Sequence, residues 1–240
     1  MKRILKIVSL VAGALVLGAV AVLAPAFLGR RAIIDGLEIN GIRIVKDGFV
    51  GMAIVPIGPN KVALIDAGTD KSGKAVLAEL SRRQLNRDAV TAILITHGHP
   101  DHIAGIALFP EAQIMALEPE VALVERSAKV TRALKDGETV VVGHTSVRVF
   151  AVPGHTAGSA AYLVNGTLFL GDAADVASDG KITGSPWIFS TSQSQDRASL
   201  VALNQRLVKE GADVKAIAFA HSGVLIEGLA PLTAFADKNR

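Results

Sequence analysis

The sequence predicts a layered α/β fold, and three features of the chain support that prediction. Short apolar runs typical of buried strands alternate with stretches typical of amphipathic helices. Half of the 240 residues are apolar and 20% are charged, which suits one sizeable packed domain. Several apolar runs also end directly on an acidic residue or a histidine. Ligands gather at such strand ends in layered α/β folds, so the same pattern predicts a binding site.

The first 31 residues predict a targeting or anchoring segment, followed by one domain over residues 32–240. Three basic residues within the first six positions precede an uncharged apolar run over residues 7–28. A small-x-small site at residues 24–26 suits a cleaved signal peptide, whereas the length of the apolar run suits an uncleaved hydrophobic helix that anchors the chain. Both interpretations predict a domain in the periplasm or on the extracytoplasmic face of the inner membrane, because basic residues favour the cytoplasmic side.

Charge and cysteine content exclude several classes of function. The net charge of +3 comes from the three leading basic residues, because the rest of the chain has 22 basic and 22 acidic residues. A neutral body gives no reason to expect a nucleic-acid partner. The absence of cysteine excludes disulfides, a cysteine nucleophile and thiolate metal ligands. Any metal must therefore be bound by nitrogen and oxygen atoms.

The first half of the domain predicts strands that flank one helix. Residues 41–66 contain the runs IRIVKD, FVGMAIVPI and KVALID, separated by glycine turns, and are predicted as short strands. Residues 71–84 are predicted as an amphipathic helix. Residues 89–96, AVTAILIT, form a continuous apolar and β-branched run, as expected for a strand buried on both faces.

The second half continues the alternation. Residues 118–134 are predicted to be helical, and the strands ETVVVG and SVRVFAV follow. The runs SAAYLV and TLFLG flank Asn165-Gly166, a strong signal for a β-hairpin. A helix over about residues 194–210 and a buried strand, VKAIAFA, complete the predicted domain.

The stretch ILITHGHPDHIAG concentrates three of the six histidines at the end of a predicted strand. His97 and His99 are two residues apart, so on an extended backbone both side chains point to the same side. Asp101 and His102 follow a turn at Pro100 and can face a second point nearby. Two metal ions roughly 3.5–4 Å apart can activate a water held between them. Imidazole and carboxylate ligands suit zinc best, while iron and manganese remain open.

The order of motifs resembles the metallo-β-lactamase-fold hydrolase superfamily over roughly residues 40–225. The motifs are His97-x-His99-x-Asp101-His102, Pro153-Gly154-His155-Thr156-x-Gly158-Ser159, Gly171-Asp172 and His221. The resemblance implies a four-layer αββα sandwich, preceded here by the predicted N-terminal hydrophobic helix. These motifs are highly specific for the fold and much less specific for the substrate.

The resemblance also implies a role for each matched residue. The implied ligands are His97, His99 and His155 for one metal, Asp101, His102 and His221 for the other, and Asp172 for both. Two Zn²⁺ ions per chain are expected. Asp66, in LIDAG, matches a position that supports the site from behind the ligands. Asp101 would also act in catalysis, by accepting or orienting the proton of the attacking water.

The function implied is a metal-dependent hydrolase that acts on a small molecule outside the cytoplasm. A metal-bound hydroxide would attack a carbonyl-centred bond of a lactone, thioester, ester or β-lactam. Two alternatives of the same fold stay open. One is a sulfur dioxygenase, which uses a single iron ion to oxidise a sulfur compound, and the other is a phosphodiesterase. No protein partner can be inferred, and the membrane is a partner only through the N-terminal segment, if that segment is uncleaved.

Residues 173–195 are rich in glycine and serine and are predicted as a long loop without regular structure. Long loops of this kind are often functional. Trp187 and Phe189 are candidate substrate-binding residues, with the alternative that they pin the loop to the body. His144 lies outside every motif and is predicted to be exposed.

Overall fold

The structure is a computed structural model that describes residues 28–240. Two β-sheets of seven and five strands pack face to face, and helices cover their outer faces. The predicted four-layer αββα sandwich is thus confirmed. The predicted N-terminal helix and the candidate cleavage site lie outside the described residues.

The first sheet has its strands in chain order. They are β1 (Glu38–Ile39), β2 (Ile42–Asp47), β3 (Val50–Gly58), β4 (Lys61–Ile65), β5 (Val90–Leu94), β6 (Gln113–Leu117) and β7 (Arg132–Leu134). The strands from β1 to β4 pair antiparallel, and those from β4 to β7 pair parallel. Helix α1 (Lys74–Arg82) crosses from β4 to β5, and the short helices α2 (Pro100–Ile103) and α3 (Val121–Val124) follow β5 and β6. The carboxyl ends of β4 and β5 therefore meet at one edge.

The second sheet has the order β14-β11-β10-β9-β8. Its strands are β8 (Thr139–Val142), β9 (Thr145–Ala151), β10 (Ala160–Val164), β11 (Thr167–Phe169) and β14 (Ala216–Ala218). The predicted hairpin joins β10 to β11, and its turn residues Asn165 and Gly166 both have positive φ, as a tight two-residue hairpin requires. Helices α4 (Gln193–Lys209) and α5 (Ala230–Lys238) pack outside this sheet.

Apolar side chains fill each of the three spaces between the four layers. Leu94 of the first sheet and Val149 of the second lie in the cluster between the sheets. Ile93, next to Leu94, points the other way and packs with Leu80 of α1. Leu203 of α4 lies in the cluster behind the second sheet. Burial of β5 on both faces explains its continuous apolar sequence.

Two predictions about secondary structure are wrong. Residues 118–134 are not one helix, because they form a 3₁₀ turn (Glu118–Glu120), the single-turn helix α3, a loop and strand β7. Leu134 of β7 pairs with Leu117 of β6, so pairing at the sheet edge overrides the local helical pattern. Residues 173–195 are also structured, since they contain β12 (Ala174–Val176), β13 (Ile182–Gly184) and a 3₁₀ turn.

The folded body begins earlier than residue 32. The backbone of Arg30 forms a β-bridge with Ala177, and the amide of Arg31 donates to the carbonyl of Val176. The sequence predicts that both arginines belong to the leader, whereas the structure joins both to the domain. In the part of the chain from residue 28 onwards, no helix has the length and apolarity needed to cross a membrane.

Candidate metal centre

All seven predicted ligands lie just beyond the carboxyl ends of strands, at one edge of the sandwich. His97 and His99 follow β5, and Asp101 and His102 lie in α2 directly after them. The remaining three predicted ligands follow strands β9, β11 and β14 of the second sheet, and are His155, Asp172 and His221. The sandwich therefore brings together side chains that are far apart in the sequence.

The first group of potential ligands consists of His97, His99 and His155, here called the three-histidine group. Nε2 of His97 lies 3.1 Å from Nδ1 of His99 and 3.2 Å from Nε2 of His155. Nδ1 of His99 lies 3.0 Å from Nε2 of His155. The three nitrogens thus form a nearly equilateral triangle. Asp172 completes this group, with Oδ2 3.5 Å from Nε2 of His155.

The second group consists of Asp101, His102 and His221, here called the Asp101 group. Oδ2 of Asp101 lies 3.3 Å from Nε2 of His221 and 3.8 Å from Nε2 of His102. Asp172 lies between the two groups. Its Oδ1 is 3.3 Å from Nε2 of His102, and its Oδ2 is 3.1 Å from Nε2 of His221.

The outer nitrogen of four of these imidazoles has a hydrogen-bond partner. Nδ1 of His102 donates to Oδ2 of Asp66 at 2.8 Å. The hydroxyl of Thr96 donates to the same carboxylate, which leaves its oxygen free to accept from Nδ1 of His97 at 3.2 Å. The other two pairs are His155 with the Ser190 hydroxyl and His221 with the Phe49 carbonyl. These bonds orient each ring so that Nδ1 faces outward and Nε2 points to the centre.

Burial and charge set the protonation of the two groups differently. Burial lowers the pKa of His97 well below its ordinary value and lowers that of His155 to about 4. Burial also opposes the charged form of His102, but the carboxylates of Asp172 and Asp66 outweigh it and raise the His102 pKa well above its ordinary value. For His221 burial is again outweighed, by hydrogen bonds to Asp101 and Asp172, and its pKa rises to about 10. A cation entering the Asp101 group must therefore displace protons, which the three-histidine group does not require.

The donor set fits divalent cations of the zinc type. A tetrahedral zinc with Zn–N distances of about 2.0–2.1 Å needs nitrogens about 3.3–3.4 Å apart, close to the 3.0–3.2 Å of the three-histidine group. Nε2 of His102 and Oδ1 of Asp172 are buried and have no hydrogen-bond partner among the described residues. A cation between these two atoms would satisfy both.

Glu120 connects the two loops that carry the three-histidine group. Its side chain is buried, and its Oε1 accepts from the amide of Gly98 at 2.7 Å. Its Oε2 accepts from the amide of Gly158 at 2.8 Å and from the hydroxyl of Thr156 at 2.9 Å. A Cβ on Gly158 would lie 2.4 Å from the Glu120 amide nitrogen, so only glycine permits this approach.

A cleft of about 1120 Å³ opens onto the centre, a size that accommodates a drug-sized molecule. Four of the predicted ligands line it: His99, Asp101, Asp172 and His221. Its walls combine apolar side chains such as Ile33, Phe49 and Phe189 with the cations Lys46 and Lys71.

Comparison with known protein families gives a match over most of the chain. The model of the metallo-beta-lactamase superfamily matches residues 48–221. The chain belongs to the metallo-beta-lactamase superfamily. The predicted family is therefore confirmed, and the superfamily match covers every residue of the two ligand groups.

Curated members of the superfamily with similar sequences are named as hydrolases. A hydroxyacylglutathione hydrolase of Vibrio cholerae serotype O1 is 32% identical over 152 residues, which are 61% of this chain and 54% of that protein. A hydroxyacylglutathione hydrolase of Cereibacter sphaeroides is 33% identical over 148 residues, which are 61% of this chain and 55% of that protein. The chain thus spans about half the length of the curated relatives it matches.

Solved metallo-beta-lactamase structures share the fold at low sequence identity. A subclass B3 metallo-beta-lactamase of Bradyrhizobium japonicum has a TM-score of 0.62 at 20% identity, covering 82% of this chain and 81% of that one. A metallo-beta-lactamase family protein from Thermus thermophilus has a TM-score of 0.61 at 22% identity, covering 83% of this chain and 79% of that one. At these identities the likeness concerns the fold alone.

The structure places most, but not all, of the predicted site residues at the candidate metal centre or in its cleft. The seven predicted ligands converge, and Asp66 lies behind His102 as a hydrogen-bond acceptor. Phe189 lines the cleft, whereas Trp187 does not and keeps 54% of its surface exposed. His144 is exposed, as predicted. Sequence reasoning missed Glu120, Thr96 and Ser190, whose contacts arise only in the folded chain.

Proposed function

We propose that the protein is a metal-dependent hydrolase that cleaves a carbonyl-centred bond of a small molecule. The observation that carries the proposal is the pair of candidate ligand groups, with Asp172 between them, at the floor of a large cleft. The family assignment and the hydrolase names of the relatives support the same reaction class.

Two zinc ions per chain are the proposed cofactors. One would be held by the three-histidine group and the other by the Asp101 group, with Asp172 contributing an oxygen to each. When bound, such ions lower the pKa of water and polarise a carbonyl oxygen. The chemistry of the donors, imidazole and carboxylate without sulfur, agrees with zinc and leaves iron or manganese as outcomes of metal analysis.

Asp101 is the residue proposed to handle the proton of the attacking water. Its side chain is 25% exposed and lines the cleft, whereas the Asp172 side chain is only 6% exposed. Burial raises the pKa of Asp101, but the hydrogen bond from His221 and the charge of His102 outweigh it, and the pKa is lowered. Asp101 is therefore ionised at neutral pH and can accept a hydrogen bond from a water in the cleft.

A thioester is the first choice of substrate, followed by a lactone, an ester or a β-lactam. The relatives named hydroxyacylglutathione hydrolase favour the thioester. The leader sequence supports a location on the extracytoplasmic side of the inner membrane, where the hydrolase would meet its substrate.

The test is a substrate panel combined with metal analysis. Protein purified without added metal is assayed on thioester, lactone, β-lactam and phosphodiester substrates, with and without a chelator. We expect about two zincs per chain and chelator-sensitive cleavage of at least one carbonyl substrate. One iron per chain would support sulfur oxidation instead, and cleavage confined to the phosphodiester would support a phosphodiesterase.

Substitution of a proposed ligand sharpens the test. His99→Ala removes one corner of the nitrogen triangle, so we expect lower metal content and a loss of activity larger than the ~10–100-fold typical of an outer hydrogen-bond partner. His144→Ala, at an exposed histidine outside the centre, is the matched control. Full activity in a folded His99→Ala variant would contradict the proposed site.

A further inference from the structure

Bulky apolar side chains are exposed at the mouth of the cleft. Trp187, Ile188 and Phe189 form one 3₁₀ turn, with exposed fractions of 54%, 37% and 50%. Phe49, at the turn between β2 and β3, is 61% exposed. Phe49 and Phe189 both line the cleft, so the exposed residues border the entrance to the metal centre. These four residues are here called the apolar rim. Exposed apolar patches of this kind mark contact sites.

Cationic side chains lie beside the apolar rim. Lys46 and Lys71 line the cleft, are exposed and form no salt bridge with any residue from 28 to 240. Arg31 also lines the cleft, and its guanidinium donates to the carbonyl oxygen of Val224. The acidic residues that line the cleft are two of the proposed metal ligands, Asp101 and Asp172. The mouth is therefore positively charged as well as apolar.

The predicted leader joins the domain beside this mouth, because the first described residues lie there. The apolar run over residues 7–28 ends two residues before Arg30, and residues 30–33 line the cleft. Two residues span at most about 7 Å of backbone. A leader seated in a bilayer would thus hold the mouth of the cleft at the membrane surface. Cleavage at residues 24–26 would leave both the apolar rim and the cations on the mature chain.

We propose that the apolar rim and its neighbouring cations dock on an anionic bilayer surface. Tryptophan and phenylalanine side chains prefer the boundary between water and lipid, and each basic residue near an anionic surface adds attraction. The cleft then opens toward the lipid, and amphiphilic acyl compounds in the bilayer have direct access to the metal centre. This access by substrate rests on the proposed hydrolase function, whereas the docking itself does not.

Trp187 provides a direct test because it is the only tryptophan in the chain. The full chain is reconstituted with vesicles of phosphatidylcholine and phosphatidylglycerol in equal parts, with or without bromine on the acyl chains. Brominated chains quench a tryptophan that contacts the lipid. We expect the Trp187 emission to move to shorter wavelength and to lose intensity in the brominated vesicles. Unchanged emission from chains that float with the vesicles would overturn the proposal.

The charge requirement has its own controls. Quenching is expected to fall in pure phosphatidylcholine vesicles and in the double variant Lys46→Gln/Lys71→Gln. The matched control is Lys61→Gln/Lys135→Gln, at two exposed lysines that do not line the cleft, and it is expected to behave as the parent. Equal quenching in neutral and anionic vesicles would overturn the anionic-surface proposal.

Two further measurements separate the other outcomes. A blue shift of Trp187 that depends on protein concentration without vesicles would mean that a second copy covers the rim, which would overturn bilayer docking. Zinc content and hydrolysis of a water-soluble thioester, measured on the same parent preparation, report on the proposed function. The hydrolase proposal can therefore stand when docking fails, and docking can stand when hydrolysis fails.

Discussion

Glu120 is a single buried side chain that connects the two loops of the candidate metal centre. Its carboxylate accepts three hydrogen bonds, one from the loop of His97 and His99 and two from the loop of His155. A carboxylate can accept at both oxygens, whereas an amide side chain must present hydrogens on one side. Both carboxylate oxygens of Glu120 accept hydrogen bonds, and these bonds hold the two loops together.

Glu120→Gln is expected to weaken metal binding at the three-histidine group. The amide nitrogen of glutamine would face an N–H or O–H donor, so at least one loop would lose its hydrogen bond. We expect a roughly 10–100-fold lower affinity for zinc, the range seen when an outer hydrogen-bond partner of a ligand is removed.

Competition with a chromophoric chelator measures this affinity. Glu118→Gln, which changes an exposed carboxylate in the same 3₁₀ turn, is the matched control. If the folded Glu120→Gln variant binds zinc as tightly as the control, Glu120 does not position the histidines.

The histidine cluster could be predicted from its local spacing, whereas the full set of proposed ligands came from the resemblance to the metallo-β-lactamase family. His97, His99, Asp101 and His102 stand together after an apolar strand, and the remaining three ligands lie at the ends of other strands. Glu120 could not be predicted, because nothing in LEPE distinguishes a buried carboxylate from a solvated one. The role of Glu120 depends on the close approach of two loops, one following a strand of the first sheet and the other following a strand of the second sheet.

At the scale of elements, the N-terminus of α4 is packed tightly against the loop that carries His155. A Cβ on Gly154 would lie 2.2 Å from the amide nitrogen of Asp196 in the first turn of α4. The buried carboxylate of Asp196 accepts from the amide of Ser185 through Oδ2, while Oδ1 has no partner among the described residues. Burial is the main cause that raises the Asp196 pKa to about 6, against the opposing hydrogen bonds from Ser185.

Asp196 therefore makes stability depend on pH. Because its pKa is higher in the folded than in the unfolded chain, the folded state binds more protons between about pH 4 and pH 6. The contribution of Asp196 to the free energy of unfolding is fully present below about pH 4 and is lost as the pH rises through about 6. Relative to Asp196→Asn, the free energy of unfolding should fall by up to about 3 kcal/mol over this window.

Urea denaturation of the parent and the variant at several pH values measures this difference. Asp213→Asn, which removes an exposed carboxylate, is the matched control. A difference between parent and Asp196→Asn that stays constant from about pH 4 to pH 7 would contradict the assignment.

The types of most elements could be predicted from sequence, and the failures have a common cause. The strand over residues 89–96 and the helix over about residues 194–210 have strong local patterns, and both are present as β5 and α4. Strand β7 has three residues and exists because β6 lies beside it. Such a short edge strand has no local signal that outweighs the helical composition around it.

At the scale of the whole molecule, Tyr162 ties the two sheets together. It is the only tyrosine, it lies fully buried in β10 of the second sheet, and its hydroxyl donates to the carbonyl of Ile95 at 2.7 Å. Ile95 immediately follows β5 of the first sheet and precedes the histidine cluster by two residues. Burial raises the pKa of Tyr162 well above its ordinary value, so the hydroxyl remains a donor.

Tyr162→Phe should destabilise the sandwich. The substitution keeps the ring but leaves the Ile95 carbonyl buried without its partner, which costs about 1–3 kcal/mol. Chemical denaturation followed by circular dichroism measures the loss. A variant as stable as the parent would mean that this bond between the sheets contributes nothing to the free energy of unfolding.

The distribution of the proposed metal ligands over both sheets has a consequence for the order of folding and metal binding. Neither sheet alone supplies a complete group, because each group combines side chains that follow β5 with side chains that follow strands of the second sheet. A nascent fragment that ends before β14 lacks His221 and therefore cannot complete the Asp101 group. With the two cations bound as proposed, the Asp101 group would be loaded only after folding, from the ions of the compartment that the folded chain occupies.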